Sequence, residues 1–183
     1  MRRSSSPGVG EVMIHCARVC WPHCLRWGLS ALLLGMVIAL GACATSPRYV
    51  FHAFGFDAVN ESKGFEVLAY SYSREGRAIV SSDTAIRQFG KAHQGTGING
   101  PMPVGDTLYV KWRQKSDGQA YEDKVDLRPL LPRDMQFQRI HFVIDGPKLY
   151  VFLKDTTRYA DPKDLIVGPF KLQVFVTRQI YPR

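Results

Sequence analysis

The side chains with the most chemical reach in this sequence are four thiols, Cys16, Cys20, Cys24 and Cys43, and five imidazoles, His15, His23, His52, His93 and His141. Cys16, Cys20 and Cys24 recur every fourth residue with His15 and His23 beside them, donor types that a zinc ion takes. All five of those groups stand in a stretch whose composition is that of a leader, so a metal centre is not expected there. His52, His93 and His141 have no close metal-ligand spacing, and no cysteine follows residue 43. There is no Gly-x-Ser-x-Gly elbow and no His-Glu-x-x-His pair. A nucleophile, its base and an orienting group are therefore not assembled by any motif, and no catalytic residue is assigned.

One phosphate-binding pattern is present letter for letter: Gly95-Thr96-Gly97-Ile98-Asn99-Gly100 reads as the dinucleotide fingerprint G-x-G-x-x-G. That fingerprint works only when a helix begins directly behind it, so that the helix N-terminus faces the pyrophosphate. Pro101 and Pro103 forbid that helix, and no strand-helix-strand unit surrounds it. No cofactor is expected.

The elements that hold these residues divide the chain in two. Arg2, Arg3, Arg18 and Arg26 precede an uncharged run of 14 residues, Trp27 to Leu40. A helix that crosses a bilayer needs roughly 20 apolar residues, so this run fits the apolar region of a signal peptide better than a span. It closes on Leu40-Gly41-Ala42-Cys43, which resembles the lipobox of bacterial lipoproteins: a branched apolar residue, two small ones, then the cysteine whose thiol takes the lipid. The resemblance implies a signal peptide over residues 1–42, lipid on Cys43 and a tether over 43–47. It also implies a membrane partner, reached through that lipid. Ala44 follows the cysteine where inner-membrane lipoproteins resemble one another in carrying Asp, so the expected address is the outer membrane, facing the periplasm. Removing the leader also removes three thiols, and the one left rules out a disulfide within the mature chain.

From Cys43 onward the charge falls from +8 to +5, with 20 basic and 15 acidic residues interleaved as in Glu122-Asp123-Lys124. Without a basic stripe, nucleic acid is not an expected partner. The 141 residues suit one domain, placed at 48–183. Two-residue alternation runs through Leu108, Val110 and Trp112, through Ile140, Phe142 and Ile144, through Leu149, Val151 and Leu153, and through Leu172, Val174 and Val176. Ser116-Asp117-Gly118 and Asp145-Gly146 mark hairpins. Segments near 49–57 and 64–73 bring the count to about seven or eight strands, and the expected fold is all-β, a single-domain antiparallel sandwich. A short helix is expected only near Ser82 to Phe89.

Gly90 to Gly105 holds five glycines in its interior sequence GKAHQGTGINGPMPVG together with two prolines, and reads as a long loop. Long loops on rigid scaffolds often meet partners, so His93, Gln94, Asn99 and Met102 are the expected binding residues. Asp155 to Pro169 reads as a second rim loop. His141, opposite Ile140 and Phe142 in the alternation, is expected to be solvated or locally bonded. Most aromatics should be core, with Tyr109 and Tyr150 facing outward as a possible contact patch.

The stretch NGPMPVGDTLYVKWRQKSDGQAYEDKVDLRPLLP from Asn99, the run IHFVIDGPKLYVFL from Ile140, FGFDA at Phe54 and the closing IYP at Ile180 resemble a family of uncharacterised proteobacterial lipoproteins. More loosely, the chain is similar to periplasmic immunity lipoproteins that accompany type VI secretion effectors. These resemblances imply a non-catalytic binding module whose partner is a protein, either an antibacterial effector or, alternatively, an envelope component met in assembly or maintenance.

Overall fold

A strand with an apolar and a polar side must bury one of them, and several such strands in one small domain do so by stacking as two sheets. A computed structural model describes residues 48–161, 163 and 174–182. These described residues form nine strands: β1 (Tyr49–Asp57), β2 (Phe65–Arg74), β3 (Arg77–Ser81), β4 (Gly95–Pro103), β5 (Thr107–Gln114), β6 (Ala120–Asp126), β7 (Gln138–Asp145), β8 (Lys148–Tyr159) and β9 (Phe175–Tyr181). Two short helices join them, α1 (Ala58–Glu61) and α2 (Asp83–Phe89). The sheets run β4-β1-β7-β8-β9 and β3-β2-β5-β6 and pack together, so the fold is an all-β sandwich. Residues 1–42, Cys43, the tether and Leu172 lie outside the described residues.

Every pairing is antiparallel except β1 with β7, which run parallel with Ala53 opposite Arg139 and Gly55 opposite His141. The alternation in β5, β7 and β8 delivers its apolar side to one core, where Leu108, Val110, Trp112, Ile140, Phe142, Ile144, Leu149, Val151 and Leu153 are all buried. Aromatic stacking fills its centre: Phe54 lies 5.2 Å from Tyr72, and Phe56 4.3 Å from Phe142. Each fully buried ring of this kind contributes roughly 1.5–3 kcal/mol. Trp112 packs its body in the core and donates its indole N–H to the Gly146 carbonyl at 3.1 Å. Gly146 sits at φ 62, the left-handed conformation that the Asp145-Gly146 turn requires. That bond ties the β7–β8 hairpin of one sheet to β5 of the other.

The helix at Asp83–Phe89 follows the expected start at Ser82, but the Ser82 hydroxyl does not cap it. Ser82 is buried and its Oγ instead accepts from the Tyr70 N–H at 3.0 Å, sewing the start of α2 to β2.

Three expectations are corrected. Gly90 to Gly105 is not one long loop: Gly95–Pro103 is a strand, paired with β1 along its whole length from Tyr49 opposite Pro103 to Asp57 opposite Gly95. Its glycines and prolines are tolerated because it is an edge strand, where a missing N–H can point away from the sheet and a bare Cα allows close approach. A Cβ on Gly55 would come 2.6 Å from the Thr96 carbonyl oxygen, so the Gly55–Gly97 pair is a close crossing of backbones. Second, Asp155 is not the start of a loop, because β8 continues to Tyr159. Third, Val174 is exposed and Val176 half-buried, while Ile180 carries the core contact of β9; pairing with β8 shifts register between Asp155 and Tyr159 and again between Val151 and Phe152. Each irregularity breaks a simple two-residue count.

Candidate functional site

The sandwich has two ends, set by the direction of β1. The chain arrives at Tyr49, beside Pro103, and β1 carries it to the far end at Asp57, beside Gly95. The four expected binding residues spread along this edge, and the structure separates them by role. His93 is exposed at the far end, with its ring 5.9 Å from that of exposed Phe89 on α2. Asn99 is exposed in the middle of β4. Gln94 is a clamp: its side-chain oxygen accepts from the Val67 N–H at 2.8 Å and its amide donates to the Val67 carbonyl at 2.8 Å, as an added strand would. Met102 is buried in the core cluster. Gln94, half-buried just before β4, is thus engaged with the β2 backbone, whereas Met102 turns inward as alternate side chains of a strand do.

The edge itself is the feature the sequence did not announce. The nine residues of β4 carry no charge, and Gly95, Gly97, Ile98 and Asn99 are all exposed. The other edge strands carry charged residues: Arg77 on β3, Glu122, Asp123, Lys124 and Asp126 on β6, Arg178 on β9. Charge on an edge discourages pairing with another chain, and β4 lacks that protection apart from Pro101 and Pro103 at one end. Beside the open part, Val59 of α1 is exposed, and the Ala58 N–H donates to the Gln94 carbonyl at 2.8 Å. Exposed Val59, Phe89 and His93 thus border the far end of β4.

The histidines divide in the same way. His52 is buried, its Nδ1 lies 2.9 Å from the Val50 carbonyl oxygen and its Nε2 3.0 Å from Tyr72 Oη. A carbonyl only accepts, so Nδ1 carries the proton and Tyr72 donates to Nε2. The Gly105 N–H then donates to Tyr72 Oη at 2.6 Å. This relay joins β1, β2 and the β4–β5 connection. Burial pushes the His52 pKa down and that of Tyr72 up to about 12. Gly105 must be glycine, since a Cβ there would overlap the Tyr72 ring.

Of the two settings expected for His141, solvated or locally bonded, the second is the one found. It does face away from the core, but it is buried rather than solvated, because α1 folds back over β7 and sets Glu61 Oε2 2.5 Å from its Nε2. Burial pushes the His141 pKa down, with Glu61 opposing. Lys154 lies next along this face, opposite Arg139 in register, and burial lowers its pKa to about 8 against the pull of Glu61. The buried Ser62 hydroxyl accepts from the Ile144 N–H at 2.9 Å, so α1 is pinned to β7 by two polar contacts. Glu61 and His141 could not be paired from sequence, since they meet only when α1 doubles back on the sheet.

On the same outer face, nearer the end where the chain arrives, lies a cleft of about 190 Å³ lined in part by Phe51, Asn99, Phe137, Arg139, Thr156 and Phe175. Neither His141 nor Lys154 lines it. Of the two expected outward tyrosines, Tyr109 donates to Glu122 at 2.8 Å and Tyr150 packs on Phe152 in a small second apolar cluster with Val143. Among the described residues no three His, Cys, Asp or Glu side chains converge as metal ligands, and no helix is long and apolar enough to cross a membrane. No family model, no curated protein and no solved structure matches this chain.

Proposed function

We propose that this protein is a lipoprotein, acylated on Cys43 and held in the outer membrane facing the periplasm, whose sandwich is a non-catalytic binding module for a protein partner. The partner is an antibacterial effector, which the module neutralises by occlusion. The observation that carries the binding reading is the open, uncharged β4 edge from Gly95 to Asn99, bordered by exposed Val59, Phe89 and His93. An extended segment of a partner adds to such an edge through its backbone hydrogen bonds, and apolar neighbours such as Ile98 and Phe89 supply specificity. A lipid tether supports the role, since it confines the binder to the surface a membrane- or wall-attacking effector must reach and so raises its effective concentration.

The test is survival. Cells lacking the gene, challenged with sibling attackers, lose protection and regain it when the wild-type chain is restored. Ile98→Lys places a charge on the partly exposed edge, so it restores far less protection, and its urea midpoint, read beside wild type, separates lost binding from lost stability. Unchanged survival of the deletion strain, with an envelope-assembly component recovered on the immobilised protein, would replace the effector by that component as partner.

A further inference from the structure

We infer that the end of the sandwich where the chain arrives rests on the bilayer itself, through an aromatic cluster bordered by arginines that takes anionic phospholipid headgroups. The inference builds on the reading of Cys43 as the acylated residue, but its surface is defined without it. Tyr49 and Phe51 project from the outer face of β1 and are 64% and 41% exposed. Phe137, 44% exposed, lies beside them with its ring 5.9 Å from Phe51. Tyr159, 76% exposed, stacks at 5.5 Å on Phe175. Phe51, Phe137 and Phe175 line one cleft, so these rings are a continuous surface and not scattered exposures.

Phe137 is held there at a cost. Its backbone has φ 58, a left-handed conformation that a bulky residue rarely adopts. Three hydrogen bonds fix it: its N–H donates to the Phe51 carbonyl at 2.9 Å, and its own carbonyl accepts from the Thr156 N–H at 3.0 Å and hydroxyl at 2.6 Å. Strained backbone that is over-determined by its surroundings and presents an apolar ring to water points to a function for that ring.

Cations border the rings. Arg48 directly precedes Tyr49 and Arg158 precedes Tyr159, both exposed. Around the same end, a shallow groove of about 480 Å³ is lined by Arg74, Arg128 and Arg133 together with Glu75 and Asp106. The acids nearby have local partners: Glu75 meets Arg74 at 3.3 Å, Asp126 meets Arg128 at 2.7 Å, and Asp106 accepts from the Glu75 N–H at 2.8 Å. Aromatic rings with a polar rim settle at the headgroup level of a bilayer, and arginines are drawn to anionic lipid. Chain length selects the bilayer as occupant. Cys43 precedes Tyr49 by six positions, and an extended chain covers at most about 3.6 Å per residue, so the acyl anchor holds this end within roughly 20 Å of the lipid.

The experiment uses protein recovered from membranes of cells that express the full chain, reconstituted in vesicles of phosphatidylethanolamine and phosphatidylglycerol containing brominated phospholipid. Tyr159→Trp reports on the arriving end and Phe89→Trp on the far end. The inference expects the first reporter to be blue-shifted and quenched by brominated lipid and the second to be neither. Adding Phe51→Ser and Phe137→Ser should lower the ratio of docked to undocked protein at least roughly ten-fold, with the far-ultraviolet circular dichroism unchanged. Equal quenching of both reporters, or none at Tyr159→Trp, overturns it. A blue shift without quenching also overturns it, since the rings are then covered by protein. Palmitate labelling of Cys43 is read in parallel: label without quenching sinks the docking surface alone, whereas quenching without label sinks only the anchor.

Discussion

Tyr72→Phe removes one oxygen from the centre of the fold and leaves the ring contact with Phe54 in place, so its effect isolates the relay from Gly105 through Tyr72 to His52. The lost atom accepts from the Gly105 N–H at 2.6 Å and donates to His52 Nε2 at 3.0 Å, and it lies in a region where both Tyr72 and His52 are buried. Two polar groups are then stranded, each costing about 1–3 kcal/mol, which puts the loss at roughly 2–6 kcal/mol. For a domain whose total stability is of the order of 5–15 kcal/mol this is a large fraction. The chain from residue 43 onward carrying Cys43→Ser, unfolded in urea and followed by circular dichroism, should show a lower midpoint with an unchanged slope. His52→Leu and the double variant complete the cycle, with a coupling of about 1 kcal/mol or more. The pH dependence has a fixed sign. Unfolded His52 takes its proton near 6.5 and the folded residue does so only at lower pH, so its contribution is whole above 6.5 and is lost as the solution is acidified below that. His141 shifts in the same direction, so His52→Leu reduces the acid loss without abolishing it. A cost below about 0.5 kcal/mol for Tyr72→Phe, or strict additivity in the cycle, would refute the relay.

Gly105→Ala forces a methyl group into the Tyr72 ring and should cost about 1–3 kcal/mol by overpacking, read as a fall in thermal midpoint. Lys154 is protonated below about 8 when folded and below 10.5 when unfolded, so wild type should gain stability relative to Lys154→Met as pH rises between those values; parallel denaturation curves are the check. Cys43→Ser should release the protein from sedimented membranes, and unchanged fractionation would remove the lipid anchor from the proposal.

The sandwich was legible because alternation in β5, β7 and β8 is strict and their turns carry Gly118 and Gly146 in the required places. β4 was illegible because local propensity and tertiary pairing disagree there: glycine and proline disfavour a strand, and only the presence of β1 along its whole length makes one. The same disagreement hid the surroundings of two of the expected binding residues. Treated as a loop, Gln94 and Met102 look as available as His93 and Asn99; as a clamp and a strand residue they are enclosed. His141 shows the other kind of gap. Its face was correct from parity, but parity says nothing about a helix of four residues that returns to cover it. The aromatic end was hidden for a similar reason, since Phe51 and Phe137 meet only through the parallel pairing of β1 with β7.

That parallel pairing also sets when the fold can form. β1 has β4 on one side and β7 on the other, with Ala53 beside Asn99 and Arg139, so the first strand in the chain waits for residues made far later. Contacts of such long sequence separation must close large loops before any stabilisation is returned, which places sheets of this kind among the slow, millisecond-to-second folders. On the export reading proposed above, the delay is useful. A chain still being threaded through a membrane lacks β7, so its opening strand has no parallel neighbour and the five-stranded sheet closes only after the far side has received nearly the whole domain.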